Sequence, residues 1–219
     1  GGRTWADARG GLIRIRVGES STAADYADDW VLVHEMTHLA LPSLPEDQEW
    51  FEEGLATYVE SLVRAQAGGL SAEAVWSGFL RGMPNGLPAA GDRGLDHTHT
   101  WGRTYWGGAL FCLLADLEIR RETGNRRGLQ DALRAILANG NMQDTANIEE
   151  VLATGDRATG VAVLVPLYAR MKDAPVATDL EAIWVRLGVV RAGRSVRFDD
   201  AAPEAALRRA LTGSPASPG

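Results

Sequence analysis

Residues 31–39 read Val-Leu-Val-His-Glu-Met-Thr-His-Leu, and no other stretch constrains the fold of this 219-residue chain as much. Two histidines four residues apart share a face only on a helix, where such positions stack one turn above the other. Val31, Leu32, Val33, Met36 and Leu39 around them predict a largely buried helix. Two buried imidazoles beside a buried carboxylate are costly unless hydrogen bonds or a metal ion receive them. The chain has four histidines, and two of them stand here.

His34-Glu35-Met36-Thr37-His38 has the form H-E-x-x-H. On a helix this pattern aims both imidazoles at one ion. It leaves Glu35 on the neighbouring surface, where it acts as general base toward a metal-activated water. Zinc accepts imidazole and carboxylate ligands, and a catalytic zinc keeps its fourth position for water, so a third protein ligand is needed. The segment Trp50-Phe51-Glu52-Glu53-Gly54-Leu55-Ala56-Thr57-Tyr58 follows closely. The link Leu41–Glu49 is short and carries Pro42 and Pro45, so a second helix, Glu46 to Ala67, folds back on a first helix spanning Tyr26 to Leu41. A carboxylate on its inward face completes the set, and Glu49, Glu52 and Glu53 are the ones available.

This pairing of motifs resembles the gluzincin zinc metallopeptidases, in particular the short peptidase MA-like relatives of the aminopeptidase N and glycyl aminopeptidase families. Tyr105-Trp106-Gly107-Gly108 and the apolar helix after it resemble a further segment of those families, so the likeness runs from about Leu32 to Leu137. It implies a thermolysin-like catalytic domain that hydrolyses a peptide or protein substrate, with one Zn2+ per chain held by His34, His38 and Glu53. In that reading Glu35 is the catalytic base and Tyr105 donates a hydrogen bond to the tetrahedral oxyanion. Thr57 supports a ligating histidine, and Glu49 and Glu52 fall on the solvated face. Short relatives are often exported or membrane-tethered, which implies an extracytoplasmic setting. The chain departs from the pattern in its shorter His38–Glu53 spacing. It also lacks the G-x-M-E-N segment that anchors a substrate's free amino group; Gly10–Ile15 holds no glutamate.

The rest of the chain fits a fold that is mainly α with a small N-terminal β element. Residues 1–211 form one domain: a sheet remnant in 1–20, metal-binding helices in 26–67 and a helical remainder in 72–211. Residues 212–219, rich in Gly, Ser and Pro, are expected to be disordered. Gly11–Val17 alternates as a half-exposed strand whose edge suits an extended peptide. Residues 81–103 are rich in Gly, Pro, Asp and His and read as a long loop that covers the cleft, with His97 and His99 solvated. Thr104–Glu122 is apolar enough to be the central helix, with Cys112 as a small buried hydrophobe and Arg120-Arg121 as a solvated end. A net charge of -7 argues against nucleic acid as a partner. No apolar run is long enough for a membrane span. Two alternatives remain on these residues: a peptidase-derived binding module without catalysis, and a zinc hydrolase of a non-peptide amide.

Overall fold

The structure is a computed structural model that describes residues 1–213, the side chains of Ala27 and Asp28 aside. Among these residues the fold is mainly helical, with two small antiparallel hairpins. Residues 214–219, most of the expected tail, lie outside the described residues. Thr212 closes the last helix instead of opening that tail.

The first hairpin pairs β1 (Gly2–Asp7) with β2 (Gly10–Ile15), in register from Gly2 opposite Ile15 to Asp7 opposite Gly10. The Asp7 carboxylate accepts from the Arg9 amide at 2.8 Å, and Gly10 takes a φ of +125°, open to glycine. The Ile/Arg alternation marks β2, which ends at Ile15, two residues short of the expected Val17. Its partner β1 has no such alternation and was not legible.

A single helix from Tyr26 to Leu41 is not what forms. Helix α1 (Ala23–Asp28) starts on a Thr22–Asp25 capping box. The chain then extends at Asp29, whose carboxylate accepts from the Val31 amide at 2.8 Å and restarts the helix as α2 (Val31–Leu39). Nor is α2 buried all round. Val31, His34 and Glu35 are buried against the hairpin and the next helix, while Leu32 and Met36 are about half exposed, at 49% and 52%. After a 3-10 turn at Glu46–Gln48, α3 (Glu49–Gln66) packs against α2.

Helix α4 (Ala72–Gly82) leads into the 83–101 segment. A π-helical turn, Gly102–Gly107, then feeds α5 (Gly108–Glu122). Leu110, Phe111, Cys112, Leu113 and Leu117 are fully buried, so α5 is the central helix. Burial pushes the Cys112 thiol well up, which leaves it inert. Asp116 joins three helices by accepting from Tyr58 Oη (3.1 Å), Arg120 Nε (2.8 Å) and the Leu129 amide (3.0 Å). Arg120 is therefore a buried partner, not a solvated end.

Where α3 meets α5, two glycines touch. A Cβ on Gly54 would overlap the Cα and carbonyl carbon of Gly108, and a Cβ on Gly108 would overlap the Trp50 carbonyl. The two backbones approach closer than any side chain permits. The 83–101 segment is pinned rather than free. Met83 and Leu95 are fully buried, and Asp96 accepts from Trp50 Nε1 (2.8 Å) and Tyr168 Oη (2.6 Å). Asp92 also forms a buried ion pair with Arg103 at 2.7 Å.

The remainder is α6 (Leu129–Asn139), α7 (Ile148–Thr159), α8 (Leu164–Met171), α9 (Leu180–Leu187) and α10 (Ala205–Thr212). A second hairpin, β3 (Val189–Ala192) with β4 (Ser195–Phe198), stands between α9 and α10, so sheet is not confined to the N-terminal part; Ser195 to Phe198 also reads from sequence as a short strand, while its partner β3 does not. No helix among the described residues is long and apolar enough to cross a membrane.

Gly54→Ala is expected to destabilise the protein by roughly 3 kcal/mol or more, because the obstacle is backbone that cannot move aside. Gly78→Ala, in α4, where a Cβ meets nothing within 4 Å, should be neutral or stabilising by up to about 1 kcal/mol. Urea unfolding of both variants compares them directly. Equal stability would remove the glycine contact as an organising feature.

Candidate metal centre

Helix α2 presents His34 and His38 one turn apart toward α3, and α3 presents Glu53 to them. His34 Nε2 lies 3.1 Å from Glu53 Oε2, and His38 Nε2 lies 3.8 Å from the same oxygen. One donor atom from each of the three residues falls within 4.8 Å of the other two. A tetrahedral zinc with donors at ~2.0–2.1 Å spaces them about 3.4 Å apart. The observed 3.1 and 3.8 Å bracket that value, so the donor set fits such an ion.

The charge states suit it too. Burial alone would push the Glu53 carboxyl up. The His34 hydrogen bond, the charges of both histidines and the nearby Tyr105 hydroxyl outweigh burial and hold it below the usual carboxylate range. Burial draws His38 below the ordinary imidazole value despite the opposing charge of Glu53, which favours the neutral form that ligates metal. Nδ1 of His34 is buried with no hydrogen-bond partner. Thr57, the residue expected to support a histidine, makes no such bond and faces a neighbouring cavity instead.

The three candidate carboxylates separate by what they touch. Glu52, one residue before Glu53, turns about 100° away around the helix. Its Oε1 accepts from the Leu44 amide at 2.8 Å, which ties α3 to the α2–α3 connection. It is half-buried, and burial pushes its carboxyl up, so it does not lie on the solvated face the resemblance implied. Glu49, one turn before Glu53, is exposed but lines the cleft.

Glu35 is buried and lines the same cleft, a space of about 510 Å³. Its Oε2 accepts from the Thr4 hydroxyl at 2.6 Å, and the same hydroxyl donates to its main-chain oxygen at 3.1 Å. A Cβ on Gly2 would overlap the Glu35 side chain, so glycine there lets the strand lie against it. Thus β1, not the expected β2, borders the site. Tyr105 also lines the cleft, its ring stacked on His34 with centroids 6.4 Å apart. Its hydroxyl is pushed up to about 12, by burial first and then by Glu53 and Glu49, so it keeps its proton at neutral pH.

The 81–103 segment does not cover the cleft, and none of its residues lines it. His97 pairs at the surface with Asp173 at 2.7 Å, and His99 is exposed. Sequence reasoning missed Gly2, Thr4 and Trp30. Thr4 and Glu35 are 31 residues apart with no shared pattern, so no spacing signal existed. A scan against family models finds no match, and a comparison with curated proteins finds none either.

Zinc titration against a competing chelator should give one tight site per chain. Glu53→Ala should weaken it by more than the ~10–100-fold typical of losing a supporting residue. Glu52→Ala should keep the metal and lose about 1 kcal/mol of stability, because the Leu44 amide loses its acceptor. The reverse pattern would reassign the third ligand to Glu52.

Proposed function

We propose that this chain is a zinc-dependent peptidase of the gluzincin type, with one ion held by His34, His38 and Glu53. The observation that carries this reading is the convergence of the three donors at zinc-compatible spacing, in a cleft that also holds a buried carboxylate and a protonated phenol. In this reading the hairpin and the α2–α3 pair form a reduced thermolysin-like core, and the setting is extracytoplasmic.

Zinc in such a site acts as a Lewis acid on the scissile carbonyl and lowers the pKa of a water toward ~7. The chain's own groups do the rest. Glu35 accepts the proton of the attacking water and returns it to the leaving amine. Tyr105, protonated at working pH, donates to the oxygen that gains negative charge as the carbonyl carbon becomes tetrahedral. Thr4 holds the Glu35 carboxylate in one orientation, which leaves its other oxygen for the proton transfer. The substrate backbone runs alongside β1, whose residues Gly2 to Thr4, with Gly1 before them, form one wall.

Glu35→Gln should keep one zinc per chain and abolish turnover of a mixed peptide library. Tyr105→Phe should lower kcat by about 10²–10³ with little change in KM. Loss of zinc in Glu35→Gln, or wild-type protein inert toward every peptide while loaded with zinc, would sink the peptidase reading.

Thr4→Val should lower kcat roughly tenfold at unchanged zinc content, and Thr4→Ser should restore it, since serine keeps the hydroxyl. Steady-state kinetics with separate kcat and KM values are the check; a Thr4→Ser variant no better than Thr4→Val would point to packing instead.

A further inference from the structure

A second cavity of about 510 Å³ lies beside His34. Trp30, His34 and Tyr105 line both this cavity and the metal cleft, so the two spaces adjoin at these three side chains. Its walls are largely apolar and rich in aromatic rings: Leu70, Val75, Phe79, Trp101 and Trp106 line it. Trp30 and Trp101 stand half or more exposed, at 51% and 63%, and flank the ligand histidine and Tyr105. The one carboxylate among the lining residues, Glu60, is buried and paired with Arg64 at 2.8 Å. No free charge is left to select a basic or acidic group.

We propose that this cavity receives the aromatic side chain of the residue beside the cleaved bond, so that peptides with Phe, Tyr or Trp there are the preferred substrates. The inference rests on the peptidase reading and adds the substrate class. The cavity falls in the ~300–1,000 Å³ range of small-ligand pockets. Removing a ring from water favours an aromatic residue over alanine by roughly tenfold or more. Edge and face contacts with tryptophan rings add roughly two- to tenfold over an aliphatic residue of equal area.

Gly78 supplies a clean probe. It lines the cavity from α4, and a Cβ there meets nothing within 4 Å, so a larger side chain enters the empty space without disturbing the scaffold. Binding is measured by NMR titration of metal-free protein with N-acetyl-tryptophanamide and N-acetyl-alaninamide. Hydrolysis is then compared on zinc-loaded protein with peptides that differ only by Phe or Ala at one position. Wild type should bind the tryptophan amide at least tenfold more tightly and cleave the Phe peptide with at least tenfold higher kcat/KM. Gly78→Leu should erase both preferences while the Ala peptide is still cleaved. Ala74→Phe, one turn earlier on the same helix, serves the same purpose if Gly78→Leu does not fold. Cleavage with no aromatic preference, or a preference untouched by both variants, overturns the pocket assignment and leaves the peptidase reading standing. Selective binding of the tryptophan amide, lost in Gly78→Leu, with no peptide cleaved by wild type supports the pocket and overturns the peptidase reading.

Discussion

The contact between Gly54 and Gly108 is the constraint on which the site depends. With no Cβ on either residue, the second turn of α3 lies backbone to backbone against the start of α5. Glu53 precedes one of these glycines and Tyr105 lies one turn before the other. The contact therefore sets the carboxylate and the phenol on one cleft by covalent geometry, before any side-chain interaction operates. Any larger residue at this crossing separates the helices, and with them the two functional groups.

Around that crossing the fold gives neighbouring groups unlike environments. Glu52 and Glu53 are adjacent in the chain, yet one carboxyl is pushed up by burial and the other is held down by two histidines despite burial. The first anchors the connection between α2 and α3; the second is free to serve as a ligand. Tyr105 is partly buried and faces carboxylates, and so retains its proton, which makes it a donor and not a phenolate. Such divergence within one small volume is what the proposed metal-dependent hydrolytic site needs: an anionic ligand, a neutral imidazole and a neutral donor side by side.

The hairpin changes how the site is understood. A strand near the N-terminal part reads from sequence as a surface for substrate pairing. In the structure its partner β1 does something more local, since Thr4 grips the Glu35 carboxylate and Gly2 lies flat against it. Likewise the 81–103 segment reads as a long loop that covers the cleft, but buried Leu95 and the bonds of Asp96 to Trp50 and Tyr168 fix it to the core. Gly and Pro content reports where regular structure stops; it carries no information on whether a segment is anchored.

What the sequence determined by itself is the local geometry of the site. The four-residue histidine spacing, the two-proline link and the Glu53-Gly54 and Tyr105-to-Gly108 spacings are properties of helices and short connections, and helical periodicity makes them readable one segment at a time. Only the tertiary structure decided which carboxylate meets the imidazoles, that Leu32 and Met36 of α2 are exposed, that Thr4 holds Glu35, and that a cavity lined by tryptophans adjoins the cleft. These depend on contacts between elements far apart in the chain, where packing, backbone breaks such as Asp29 and the π-helical turn at Gly102–Gly107 choose directions that no periodic pattern encodes.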